Sequence, residues 1–306
     1  MSIAQYIKEI GRGKDGARAL TREQAADLFG QVLDGGVTDL EVGAFCLAMR
    51  IKGETAQELA GFLDATHARL HPIPAGERPL VVIPSYNGAR KLPLLTPLLA
   101  LLLAREGLRV LIHGAASEST RVFTSDVLAA LDIPAADAVG PVDAGAVVFM
   151  PTVVLCPGLQ RLLEVRRVIG LRNPAHSLVK LMQPGVGLNL LISSYTHPEY
   201  AASMAATFEL MRSHAVLLRG TEGEAVADPR REPRMELFLH GQRQTLQEAQ
   251  AGPLASLPAL PQNIDPQSTA TYVRDVLSGR SPIPAPIASQ VSNIVQAERW
   301  LQGCKP

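Results

Sequence analysis

Four short runs, residues 80–83, 108–112, 146–150 and 215–218, are almost wholly apolar and are set apart by longer helical patterns. A strand with one wet face alternates apolar and polar residues, whereas a run without alternation is buried on both faces. Such strands, separated by helices, specify a mostly parallel sheet covered on both sides. Residues 152–155, Thr-Val-Val-Leu, have the β-branched content of a further strand. Residues 92–104 form the longest apolar run, broken by Pro93, Thr96 and Pro97. That run is too short to cross a bilayer and reads as a buried helix. Residues 269–277 and 286–301 read as two final helices, after a Pro-rich stretch over 253–266 that reads as an extended surface loop.

Residues 3–70 have a different texture. Ile3, Tyr6, Ile7 and Ile10 share one face of a helix. Thr21 and Gln24 have capping-box spacing and open a helix that carries Ala25, Leu28, Phe29 and Val32 and stops at Asp34-Gly35-Gly36. Thr38 opens the next, with Leu40, Val42, Phe45, Cys46 and Met49 directed inward; Thr55 opens another, with Leu59, Phe62 and Leu63 inward. The apolar faces of 40–49 and 55–63 exceed what one short bundle can bury, which predicts association through them. His71-Pro72-Ile73-Pro74 reads as a linker. The expected fold is therefore α/β: a small N-terminal helical-bundle domain over residues 1–72, which helices from about 160–185 can join, then a larger domain over 73–306 with a mostly parallel sheet.

Twenty-nine Lys and Arg balance twenty-nine Asp and Glu, so no global field draws nucleic acid or membrane, and any polyanion site must come from local clustering. The three cysteines, Cys46, Cys156 and Cys304, lack metal-binding spacing, and their odd number fits reduced thiols in the cytoplasm. The start of the chain has no basic-then-apolar leader, so no membrane partner is expected.

In an open parallel sheet, ligands bind at the carboxyl ends of the strands. Four segments fall there. The first, Pro84-Ser85-Tyr86-Asn87-Gly88-Ala89-Arg90-Lys91, offers two cations and an aromatic ring. The second runs from His113-Gly114 to Ser119, Thr120 and Arg121, whose hydroxyls and guanidinium suit a phosphate oxygen. The third gathers Arg166, Arg167, Arg172 and Lys180 with no acid after Glu164. The fourth, Arg219-Gly220-Thr221-Glu222-Gly223-Glu224-Ala225-Val226, is followed by Asp228, Arg230 and Arg231. There is no P-loop, HExxH or GxSxG pattern.

Residues 20–63 resemble the N-terminal helical segment of anthranilate phosphoribosyltransferases and nucleoside phosphorylases. The later segments match that family in position but not in chemistry. Its Gly-rich GTGGD loop is here Ile83–Asn87, with Gly88 and Thr96 as the surviving matches. In KHGNR the His-Gly pair persists as His113-Gly114, while Asn and Arg become Ala115 and Ala116. GVRTIFNLLGPL retains Arg172. In HGxxGLDEIS the acidic pair that holds Mg²⁺ becomes Ala225-Val226, which offer no oxygen ligand. Together, Lys52–Thr55 (KGET), Ser85–Lys91 (SYNGARK), residues 170–181, His197–Tyr200 (HPEY) and Arg219–Glu224 (RGTEGE) resemble the divergent second family of anthranilate-phosphoribosyltransferase-like proteins.

That resemblance implies a nucleoside phosphorylase/phosphoribosyltransferase-like fold behind a helical dimerisation domain. It also implies a homodimer that binds DNA or RNA without regard to sequence and has no phosphoribosyltransferase activity. The corresponding site expectation is Tyr86 stacking on a base, with Arg90, Lys91, Ser119, Thr120, Arg121, Arg166, Arg172 and Lys180 along one cleft and Arg230 and Arg231 at its rim. No catalytic residue, metal or cofactor is expected on this reading. The alternative is a glycosyl or phosphoribosyl transferase with an altered substrate. It would use His113, Arg172, Ser119 and Thr120, with Glu222, Glu224 or Asp228 replacing the acidic pair around Mg²⁺.

Overall fold

A computed structural model describes residues 2–13, 15–115, 120–252 and 254–303. The chain begins with α1 (Ala4–Ile10), α2 (Arg22–Asp34), α3 (Asp39–Lys52) and α4 (Ala56–His67). Thr21, Thr38 and Thr55 each head a capping box, closed by Gln24, Glu41 and Glu58. Phe29, Phe45 and Phe62 meet at the centre of the bundle, with ring centroids 4.7–6.2 Å apart. The Lys52–Thr55 motif is structural. Lys52 Nζ lies 2.6 Å from the fully buried Glu58 carboxylate, which also accepts the Thr55 and Leu20 backbone N–H groups.

The α/β part follows as β1 (Leu80–Pro84), α5 (Thr96–Arg105), β2 (Arg109–Gly114), α6 (Thr124–Ala130) and β3 (Val147–Pro151). Then come α7 (Thr152–Leu155), α8 (Pro157–Ile169), α9 (Ala175–Leu178), β4 (Asn189–Tyr195), α10 (Pro198–Leu210) and β5 (Ala215–Arg219). β6 (Met235–Leu239), β7 (Gln242–Gln247), α11 (Pro266–Leu277) and α12 (Ala285–Leu301) end it. The sheet order is β3-β2-β1-β4-β5-β6-β7, parallel from β3 to β5 and antiparallel over β6 and β7. The chain winds outward from β1 through β2 to β3. It then returns through α7, α8 and α9 to place β4 on the other side of β1. This reversal opens a crevice between the carboxyl ends of β1 and β4.

On the return path α8 lies against the bundle. A Cβ on Gly158 would overlap the Leu33 carbonyl oxygen, so only glycine permits this approach, and Arg161 Nη2 donates to the same oxygen at 2.6 Å. Leu159, Leu162 and Leu178 share one core with Leu28, Phe29 and Leu33.

Three expectations are corrected here. Residues 152–155 are helical, because β3 ends at Pro151 and the chain turns immediately into α8. The helix expected over 92–104 begins at Thr96, with Pro97 in its first turn. Leu40 points to solvent at 84% exposure; the surplus apolar surface is the outer stripe of α3, Leu40, Leu47 and Ile51, whereas Leu59, Phe62 and Leu63 of α4 are buried.

Candidate functional site

The loop Ser85–Lys91 leaves β1 at the crevice, and three other segments converge on it. The segment after β2 is tied to it by a two-bond bridge, Ala89 N to Val122 O at 2.8 Å and Val122 N to Ala89 O at 3.0 Å. Arg121 Nη1 adds a bond to Gly88 O at 3.3 Å. From the segment between α8 and α9, Arg172 Nη2 reaches Asn87 Oδ1 at 3.2 Å. From beyond β5, residues 221–225 arch over the loop.

That arch determines the site's electrostatics. Glu224, 1% exposed, directs its carboxylate into the loop. It accepts Asn87 N and Gly88 N, each at 2.8 Å, together with the Ser85 hydroxyl and, at 3.4 Å, Thr96 Oγ1. Burial raises its pKa, against the lowering pull of these donors and of Lys180. Glu222 accepts the N–H groups of Arg90, Lys91 and Leu92 at 2.8–3.2 Å. The arch is pinned from beneath, since Lys180 Nζ and Ser194 Oγ both donate to Gly223 O at 2.9 Å. Burial pushes the Lys180 ammonium down to about 8, with Glu224 pulling the other way.

Beside the loop lies a cleft of about 380 Å³ between the bundle and the sheet, with Met49 and Arg50 on one wall and Asn87, Arg172, Lys180 and Tyr200 on the other. Its lining mixes Arg50, Arg172 and Lys180 with the carboxylates of Glu54 and Glu199 and with apolar and aromatic side chains, an amphipathic surround for a small polar ligand.

The expected binding residues separate into distinct roles. Arg90, Lys91 and Arg172 are exposed around the loop, and Arg121 and Arg166 are partly exposed. Thr120 is exposed, and Ser119 lies outside the described residues. Tyr86 is not an open stacking platform: it is 3% exposed, its hydroxyl donates to His176 O at 2.8 Å, and Lys180 Nζ sits 5.8 Å from its ring centre. Lys180 reaches the cleft but spends its ammonium on internal oxygens. Arg230 is held by Asp228 through two bonds at 2.8–2.9 Å, and Arg231 stands 3.6 Å from the same carboxylate.

The residues of the alternative fare differently. His113 is fully buried on β2, out of reach of a substrate. Ala225 and Val226 are buried in the core. Glu222 and Glu224 are engaged by backbone donors and Asp228 by arginines, and no group of three metal-ligating side chains occurs among the described residues. The residues present do not fit Mg²⁺ on a pyrophosphate. The anchoring of Glu222 and Glu224 in the loop escaped the sequence reading. Its one local trace is the glycine between two glutamates, because their partners lie more than a hundred residues earlier.

Comparison with known proteins places this geometry. Residues 4–69 match the family described as "Glycosyl transferase family, helical bundle domain". YbiB of Escherichia coli (strain K12) is 41% identical over 300 residues, covering 95% of this chain and 93% of YbiB. Anthranilate phosphoribosyltransferase of Persephonella marina is 25% identical over 229 residues, covering 72% of this chain and 66% of that enzyme. Among solved structures, anthranilate phosphoribosyltransferase (TrpD) from Thermus thermophilus superposes with a TM-score of 0.71 at 22% identity, over 99% of this chain and 90% of that one. The enzyme from Saccharomyces cerevisiae in complex with PRPP and Mg gives 0.67 at 14% identity, over 98% of this chain and 93% of that one. Near-complete coverage at 41% identity, together with the shared fold, places this chain in the anthranilate-phosphoribosyltransferase-like family, beside YbiB.

Proposed function

We propose that this protein uses a phosphoribosyltransferase-like scaffold to bind nucleic-acid phosphates without sequence preference. The observation that supports this reading is the cluster of arginines and a lysine around Ser85–Lys91, next to a pyrophosphate-type loop already filled by Glu224. Exposed cations contact phosphates whatever the bases, and binding then falls steeply with salt. Magnesium has no part in this mode. Two copies associate through the apolar stripe of α3 in a reducing cytoplasm, where the free buried thiols Cys46 and Cys156 persist.

A second reading, glycosyl or phosphoribosyl transfer to an altered substrate, has kinship on its side. Relatives aligned over about 70% of the chain are named anthranilate phosphoribosyltransferase, and the cleft beside Arg172 suits a small aromatic acid. Taken alone, kinship favours transfer; the filled loop and the missing acidic pair favour binding.

One pair of measurements separates them. Single- and double-stranded oligonucleotides of unrelated sequence are titrated across a salt series, and consumption of phosphoribosyl pyrophosphate is followed with Mg²⁺ and anthranilate. Comparable affinities for unrelated sequences, with a steep negative slope of log affinity on log salt and no turnover, are expected. Turnover at an ordinary enzymatic rate without oligonucleotide binding would reverse the choice.

A further inference from the structure

We propose that the arch 221–225 is an internal anion: the chain closes a phosphate-binding nest with its own Glu224 carboxylate. Two adjacent backbone N–H groups, Asn87 and Gly88, point at one oxygen from 2.8 Å, and the hydroxyls of Ser85 and Thr96 meet the other. Such a concave set of donors takes an oxyanion. Beside it, three successive N–H groups, Arg90, Lys91 and Leu92, make a second nest filled by Glu222. The ligand class these donors fit is inorganic phosphate, pyrophosphate or a terminal phosphate ester, and both places are taken by carboxylates of the chain itself.

The backbone of the arch is shaped for this insertion. Glu222 at φ 53° and Gly223 at φ 91° are consecutive left-handed residues, which turn the two glutamate side chains toward the two nests. A Cβ on residue 223 would overlap Asn87 Nδ2, so glycine alone allows the arch so close. A left-handed glutamate is strained and persists where its surroundings over-determine it. Here the determinants are Lys180 and Ser194 on Gly223 O, and Thr221 N on Val226 O at 2.9 Å. None of these passes through the Glu224 side chain. Removing that carboxylate therefore leaves a walled, donor-lined hole.

The test is thermal unfolding of the full chain as parent, E224A and E224Q, with inorganic phosphate or pyrophosphate against potassium chloride of equal ionic strength. The parent should not respond specifically to either anion. E224A should start lower and recover with phosphate or pyrophosphate by about 2 °C at ten times the dissociation constant. E224Q, which keeps the hole filled, should not respond. An E224A response no larger than the parent's, or a parent that responds as strongly, overturns the proposal. If E224A does not fold, E222A carries the same test at the second nest: a phosphate-specific rise supports the proposal and its absence overturns it. The inference stands apart from nucleic-acid binding. Phosphate recovery in E224A alongside a parent that ignores oligonucleotides would sink that reading and leave this one intact.

Discussion

Arg90 and Lys91 hold the loop through their backbone, which bonds Glu222, while their side chains stand in solvent. The two roles are therefore separable. Replacing both by Ala should leave the thermal midpoint unchanged and weaken oligonucleotide binding equally for unrelated sequences. It should also flatten the salt slope by up to about two units, roughly one for each phosphate no longer neutralised; unchanged affinity and slope would move the polyanion surface elsewhere. His113 makes a different kind of prediction. It is fully buried on β2, and desolvation holds its pKa down at about 3. The unfolded chain takes up that proton near pH 6.5 and the native one does not, so stability falls as pH drops from about 6.5 to about 3. Inside that window His113 adds about 1.4 kcal/mol per pH unit to the slope of stability on pH, beside the contribution of His176, which desolvation holds down at about 4. His113→Met should flatten it in urea titrations at pH 7, 6 and 5, and parallel parent and variant curves would refute the assignment. Which residues mattered was only partly legible. The 85–91 loop stands out in the sequence as a strand end and Arg172 as part of a basic run, which the structure places between α8 and α9 and not at a strand end; Tyr86 reads as an available ring because burial depends on Lys180 and His176, both distant in the chain.

Among the described residues, α3 keeps a long apolar stripe in water: Leu40, Leu47 and Ile51 are 84%, 49% and 62% exposed. Their spacings of seven and four residues place them within one strip of the helix. Leu47→Glu should yield a monomer in light scattering at micromolar concentration with its circular dichroism intact, whereas an unchanged mass would exclude α3 as the contact. Capping boxes made the starts of α2, α3 and α4 readable, since the signal is local. Strands were less readable. β4, Asn-Leu-Leu-Ile-Ser-Ser-Tyr, went unread because its polar half supplies the crevice, with Ser194 donating to Gly223 O. The β6–β7 hairpin went unread too. β7 is polar along most of its length, as suits an exposed edge, and Glu236 on β6 is 5% exposed and paired with Arg234 and Arg243.

Across the whole molecule, zero net charge coexists with cations exposed around the 85–91 loop, because many acids are taken up in internal pairs: Glu222 and Glu224 on backbone N–H groups of the loop, Glu58 on Lys52 and the buried Glu298 on Arg78. Composition reports the sum, and only folding separates the signs. The parallel character of the sheet was legible from its apolar runs, but the position of β4 beside β1 was not, since it depends on the return path through α8. That path also imposes an order in time. Leu28, Phe29 and Leu33 of the bundle find their partners in Leu159, Leu162 and Leu178. During synthesis at roughly 5–20 residues per second, the first helices therefore wait on the order of 5–20 s for their missing wall to emerge. Through that interval the nascent chain presents an open greasy face to solvent, so a chaperone that shields it, or a second nascent chain that borrows it, meets this protein before its own sheet exists.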